Sequence, residues 1–212
     1  MTRMVPLSVI QSELFGAGVA VKRLARELGP VDAARAFALV AVWQARGEPW
    51  RALGAPADRR DALSRRQIGS AVLLERALRK VADPQTARAL VSDIALRASI
   101  DFLGRSVPVL KRDKILSLPQ ADRERYLRRI QAKFFNADAD MRLEGETRLF
   151  MTVRRCRFVE LLDAIGERDM APLFCEGDRI FFDRHQPGVA LERPETLACG
   201  GAVCDFQFFW ID

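Results

Sequence analysis

The sequence predicts an α+β fold: a mainly helical scaffold, residues 1–140, packs with a C-terminal strand-helix-helix-strand-strand module, residues 141–212. Two observations predict this fold class. Apolar residues recur every three or four positions through the first part, as in amphipathic helices, and the period changes to two near Glu146. The chain is 49% hydrophobic and 29% charged and has no low-complexity linker, so residues 1–212 are expected to form a single domain.

The helices of the first part are bounded by glycine and proline signals. Gly29-Pro30 separates the first helix from the second, and Asp83-Pro84 starts the fourth, because Asp caps free amide groups and proline suits the first helical position. Apolar side chains at helical spacing favour core packing over a cofactor pocket. The predicted helices cover about residues 7–28, 30–47, 58–82, 84–104 and 120–137.

The C-terminal module begins with alternating apolar and polar residues over 149–154, which predict a strand leading into Cys156. A short helix then ends at Gly166. A second helix is expected to have Asp169 as its N-cap and to extend to about Phe182. Two strands complete the module, at about residues 189–193 and 203–210.

The composition and charge limit the kinds of partner that the protein is expected to have. The net charge is +6, and residues 1–140 carry 25 Lys and Arg against 15 Asp and Glu. Because these basic residues alternate with acidic ones and no nucleic-acid-binding motif occurs, nucleic acid is not expected as a partner. The absence of a long apolar run predicts no membrane span, and the first ten residues do not resemble a secretory signal. Free thiols and a cytoplasmic location are therefore expected.

The concentrated chemistry of the chain is a set of thiols and carboxylates near its C-terminal end. Cys175, Asp178 and Phe182 are spaced to share one face of the second module helix, with Cys156 and Cys204 on neighbouring elements. A carboxylate beside a thiol can take a proton or orient water while the thiol attacks or binds. The alternative is a buried thiol that packs as a small hydrophobe.

A metal site is not expected. The cysteine separations of 19, 24 and 5 residues contain no Cys-x-x-Cys, and the single histidine, His185, is interpreted as a surface or capping residue. Thiolates from distant segments could still converge, so zinc stays open as an alternative, but no cofactor is predicted. Gly177 lies between Cys175 and Asp178 and predicts the close approach of another backbone or a ligand.

Over about residues 145–210 the sequence resembles the L-2-amino-thiazoline-4-carboxylic acid hydrolase family. The resemblance implies the opening of a cyclic isothiourea to N-carbamoyl-cysteine and carries over Cys156, Cys175, Asp178 and Cys204, whereas Cys199 is extra. The matching segments are Val153-Arg-Arg-Cys156, Leu161-Leu162, Leu173-Phe174-Cys175-Glu-Gly-Asp178, Thr196-Leu197-Ala198, Gly201 and Cys204-Asp205-Phe206.

Two functions follow as hypotheses. In the first, the protein hydrolyses a small cyclic amidine, with Cys175 as nucleophile or polarising group and Asp178 activating water or protonating the ring nitrogen. Substrate-binding residues would be Cys156, Cys204, Thr196, Phe182 and Arg193, with Arg154 as the other candidate for the substrate carboxylate. In the second, the chain is a non-catalytic module that binds a small molecule, a metal or a protein partner, similar to the 4-vinyl reductase type. A homodimer is left open.

Overall fold

A computed structural model describes residues 5–211; residues 1–4, which belong to the segment inspected for a secretory signal, and residue 212 lie outside the described part. The α-helices are α1 (Leu7–Ala45), α2 (Arg59–Leu78), α3 (Pro84–Ser106), α4 (Arg112–Leu116), α5 (Gln120–Gln131), α6 (Arg157–Ala164) and α7 (Ala171–His185). The strands are β1 (Ala137–Glu144), β2 (Arg148–Cys156), β3 (Val189–Glu192) and β4 (Cys204–Trp210). The predicted α+β class is confirmed.

The helix boundaries follow the capping signals. At Gly29 the backbone of α1 leaves helical geometry (φ 78°, ψ 166°), so Gly29-Pro30 breaks α1 into two halves as predicted. Asp58 caps α2 by accepting a hydrogen bond from the Asp61 amide, and Asp83 caps α3 in the same way. None of the helices within residues 5–211 combines the length and apolarity needed to cross a membrane.

The sheet contains one strand more than the sequence predicted. Its order is β1-β2-β4-β3 with antiparallel neighbours throughout. The expected helix over 120–137 ends at Gln131, and β1 then starts at Ala137, so the boundary drawn at residue 140 falls inside a strand. Alanine and aspartate dominate β1 and favour strands weakly, so pairing with β2 forms this edge strand rather than local propensity.

The inner face of the sheet packs on the helices. In β4 the buried positions Cys204, Phe206 and Phe208 alternate with more exposed ones, as the period of two predicted. The hydrophobic core is continuous from Val9 in α1 to these strand residues. The helical scaffold and the C-terminal module therefore share one core.

Helix α7 lies against α3 at Gly177. A Cβ placed on Gly177 would lie 1.8 Å from Ser99 Oγ, so only glycine allows this approach. The close neighbour is a side chain of α3, whereas the sequence predicted another backbone or a ligand. The expectation that Asp169 caps α7 is wrong. Asp169 lies in a separate 3₁₀ turn (Arg168–Met170) and forms an ion pair with Arg88, while Met170 precedes α7 without a side-chain cap.

Candidate active site

A partly open cavity of about 360 Å³ lies between α1, α2, α3, α7 and the inner face of the sheet. Its wall is mostly apolar. One region carries reactive groups from distant parts of the chain, namely Cys156, Cys175, Asp178, Arg193 and Cys204. The structure therefore brings together five of the seven site residues that the sequence predicted.

Two of these groups come from α7. Cys175 and Asp178 are three positions apart, which places them on one helical face, and both line the cavity. Asp178 keeps 23% of its side chain accessible, so the carboxyl is enclosed without being sealed off. Phe182 lies one turn further along but outside the cavity wall. It is buried against Phe208, with the ring centroids 4.7 Å apart, and so supports the sheet.

The other two thiols lie at strand ends. Cys156 closes β2, and its Sγ accepts a hydrogen bond from Asn136 Nδ2 at 3.7 Å. Cys204 opens β4, and its Sγ accepts from the Leu197 amide at 3.3 Å. Each thiol is therefore held as an acceptor at the edge of the cavity.

Thr196 has a structural role instead of a place in the wall. Its buried hydroxyl accepts a hydrogen bond from the Cys199 amide at 3.2 Å, which caps the 3₁₀ turn Leu197–Cys199. That turn carries the amide that bonds to Cys204. Cys199 itself is exposed and lies outside the cavity wall.

Arg193 directly follows β3 and reaches the cavity beside α7. Its Nη1 donates to the Cys175 carbonyl at 3.0 Å and lies 3.8 Å from Asp178 Oδ2. The guanidinium also lies over the Phe206 ring, 5.3 Å from the centroid. Its side chain is 11% exposed. Arg154, the other candidate, is exposed and does not line the cavity, so the geometry favours Arg193.

The enclosure changes the protonation of these groups. Burial raises the pKa of Asp178 to about 7, and the Arg193 charge opposes only part of that rise. Burial, followed by the Asp178 charge, places the pKa of the Cys175 thiol far above its usual range. Burial likewise raises the pKa of Cys156, and that of Cys204 to about 11. Near neutral pH the cavity therefore presents neutral thiols and a half-protonated carboxyl.

Sequence reasoning missed the helical side of the cavity and Asn136. The apolar stripes of α1, α2 and α3 are partly core and partly cavity wall, and helical spacing is the same for both. Asn136 lies in the short connection between α5 and β1, without a motif to mark it. Residues 5–211 contain no group of three or more His, Cys, Asp or Glu side chains arranged to hold a metal ion.

The fold and cavity define an α+β protein with an enclosed acid, a guanidinium and three thiols in one wall. The chain belongs to the L-2-amino-thiazoline-4-carboxylic acid hydrolase family, because the sequence model of that family matches residues 64–208. The match starts within α2, so it extends well before the segment 145–210 that carries the motifs. Searches of curated proteins and of solved structures give no significant match. The family name points to a hydrolase-like function on a thiazoline carboxylic acid.

Proposed function

We propose that this protein hydrolyses a cyclic amidine of the 2-amino-thiazoline-4-carboxylate type in the cavity beside Asp178. One observation carries the proposal: a buried carboxyl group with a pKa of about 7 lines a partly open cavity, next to a guanidinium. A general acid–base works best when its pKa lies near the working pH. Family membership supports the same reaction class.

The reaction consumes one water molecule. The ionised Asp178 takes a proton from water as its oxygen bonds to the ring carbon between nitrogen and sulfur. The bond between that carbon and sulfur then breaks, and the same proton passes from Asp178 to the departing sulfur. The second proton of the water passes from the oxygen to the ring nitrogen as the carbonyl forms. The product is an open chain with a free thiol and a urea-type group, and Asp178 is again ionised.

The burial of Cys175 favours the second of the two roles that the sequence left open for it, the polarising group. A nucleophilic cysteine acts as the thiolate, and burial beside Asp178 keeps this thiol protonated. We therefore assign the attack to water. Cys175 instead supplies a neutral S–H, a weak hydrogen-bond donor, at the position where charge develops on the substrate.

Arg193 would hold the substrate carboxylate. A guanidinium can bind a carboxylate through two parallel hydrogen bonds. Within residues 5–211 the one hydrogen bond from this guanidinium goes to the Cys175 carbonyl, so other donors remain for a ligand. Its position beside Asp178 would set the reacting carbon next to the acid–base group.

A second candidate function is binding of an apolar molecule without catalysis, in the manner of the 4-vinyl reductase type. The mostly apolar wall and the neutral thiols favour it. This function would leave the cavity accessible to ligands but would not require the acid–base chemistry of Asp178.

The test incubates the pure protein with 2-amino-thiazoline-4-carboxylate and follows thiol release with a chromogenic thiol reagent. We expect turnover by the wild type and a fall of about 10²–10⁴-fold in kcat for Asp178→Asn, the usual contribution of a general acid–base. Asp183→Asn, an exposed change on the same helix, is the matched control and should keep full activity. No thiol release by the wild type would remove the named activity.

A further inference from the structure

The cavity is larger than the thiazoline carboxylate of the proposed function would fill. A cavity of about 150 Å³ encloses benzene, which corresponds to roughly 25 Å³ for each non-hydrogen atom. On that scale the observed 360 Å³ holds about 14 such atoms. The molecule 2-amino-thiazoline-4-carboxylate has roughly nine, so space for about five more remains.

The remaining space is lined by apolar side chains of the helical scaffold. These side chains come from α1, α2 and α3 and are at most 8% exposed: Val9, Ala20, Leu74, Val91, Ile94 and Phe102. Two serines also line this region, but their hydroxyls already donate to backbone carbonyls, Ser12 to Ala98 at 2.8 Å and Ser99 to Leu96 at 3.0 Å. This part of the wall therefore suits an apolar ligand group.

The two ends of the cavity differ in the groups that line them. Asp178, Arg193 and the three thiols come from α7 and the ends of the strands, whereas a second set of polar wall residues belongs to α1 and α2. Glu13 and Arg66 form a two-bond ion pair at 2.5 and 2.6 Å, and Gln44 donates to Ser70 at 3.4 Å, so both pairs bridge α1 and α2. A ligand with its head at Asp178 would extend its other end toward this side.

We propose that the site takes an amphiphilic substrate, whose anionic or amidine head lies at Asp178 and Arg193 and whose apolar tail of about five carbon atoms lies between α1, α2 and α3. The identity of the head rests on the proposed function. The tail rests on the size and lining of the cavity. A bare thiazoline carboxylate would leave the apolar part of the cavity unfilled and so would be a poor substrate.

Straight-chain carboxylates from butanoate to hexadecanoate test the tail site without any turnover. At pH 6, calorimetric dissociation constants should fall about fourfold for each added methylene, the gain expected from burying one such group. The gain should stop near dodecanoate, which has about 14 non-hydrogen atoms. Dissociation constants that do not depend on chain length would overturn the tail site.

Substitutions in the cavity wall test where the tail of the ligand lies. Ala95→Phe fills the cavity from α3 and should weaken dodecanoate binding more than tenfold, while butanoate binding changes less than twofold. Ala71→Leu, a smaller change on α2, covers the case in which the phenylalanine variant does not fold. Ala121→Phe, exposed on α5, is the control and should change neither constant. An unchanged chain-length profile in a folded cavity variant would contradict the proposed location.

Turnover measurements distinguish a failure of the tail site from a failure of the proposed hydrolase function. A 2-pentylamino-thiazoline-4-carboxylate should be hydrolysed with a kcat/KM at least tenfold above that of the unsubstituted compound. Thiol release from both compounds at equal efficiency, together with no binding of alkyl carboxylates, would overturn the tail and keep the hydrolase. Chain-length-dependent binding with no thiol release from either compound would overturn the hydrolase and keep the tail.

Discussion

Asp178→Asn should make the protein more stable at alkaline pH while it removes activity. Burial raises the pKa of this carboxyl from 3.8 to about 7, so the folded state favours the protonated form. That stabilising contribution is complete below about pH 4, where the unfolded chain is also protonated, and it is lost as the pH rises through 7. Asparagine is neutral at every pH and avoids the loss.

The magnitude follows from the size of the pKa change. A pKa that is higher by about three in the folded state lowers the free energy of unfolding by roughly 4 kcal/mol, relative to low pH, once the carboxyl is ionised in both states. At pH 5 the folded carboxyl is still protonated, so less than half of this cost applies. Between pH 5 and pH 8.5 the stability of Asp178→Asn relative to the wild type should therefore rise by roughly 3 kcal/mol. This is an upper figure, because solvent reaches 23% of the side chain.

Urea unfolding of both proteins at pH 5 and pH 8.5, followed by circular dichroism, measures this difference. Asp183→Asn, the exposed control on α7, should change by less than about 0.5 kcal/mol between the two pH values. If Asp178→Asn were equally stabilising at both pH values, or destabilising at pH 8.5, Asp178 would not be a carboxyl that burial holds near neutrality.

Three further predictions concern the neighbours of Asp178. Arg193→Gln should move the midpoint of the pH–rate profile to higher pH, because the Arg193 charge lowers the pKa of Asp178, and should raise KM. Iodoacetamide at pH 8 should alkylate the exposed Cys199 first, with Cys175 much slower because burial keeps its thiol protonated, as peptide mass spectrometry would show. Gly177→Ala should lower the free energy of unfolding by about 1–3 kcal/mol through overpacking, measured in urea.

Each of these predictions has a matched control. Arg154→Gln changes an exposed arginine and should leave the pH midpoint in place. Cys199→Ser should abolish the fast alkylation phase. Gly18→Ala changes an exposed helical glycine with open space around it and should stabilise by about 0.5–1 kcal/mol. Ser99→Gly should restore part of the stability of the Gly177→Ala variant, because it removes the clash but adds a glycine inside α3. A Gly177→Ala protein as stable as the wild type would contradict the close contact between α3 and α7.

Local signals in the sequence were sufficient for much of the fold. Gly29-Pro30, Asp58 and Asp83 mark helix boundaries by backbone chemistry that operates within a few residues, and the alternation along β4 reports one buried face directly. The edge strand β1 was not predicted, because its alanines and aspartates favour strands only weakly and the strand forms by pairing with β2. Asp169 failed as a cap because Arg88, 81 positions away, engages its carboxylate.

The candidate site was likewise predictable where local spacing determines it and not where distant segments meet. Cys175 and Asp178 were predictable as a pair because their spacing alone places them on one helical face. The spacing also grouped Phe182 with them, but that face turns from the cavity into the core against Phe208 within one turn. The raised pKa of Asp178 and the apolar wall opposite depend on contacts between segments far apart in the chain, which no local pattern contains.

The pH dependence of thiol release from 2-amino-thiazoline-4-carboxylate tests the central claim most directly. If Asp178 is the general acid–base, kcat/KM of the wild type should rise with pH with a midpoint near 7, and Asp178→Asn should lose about 10²–10⁴-fold in rate and the pH dependence with it. Thiol release by Asp178→Asn at the wild-type rate, with the same midpoint, would contradict the claim.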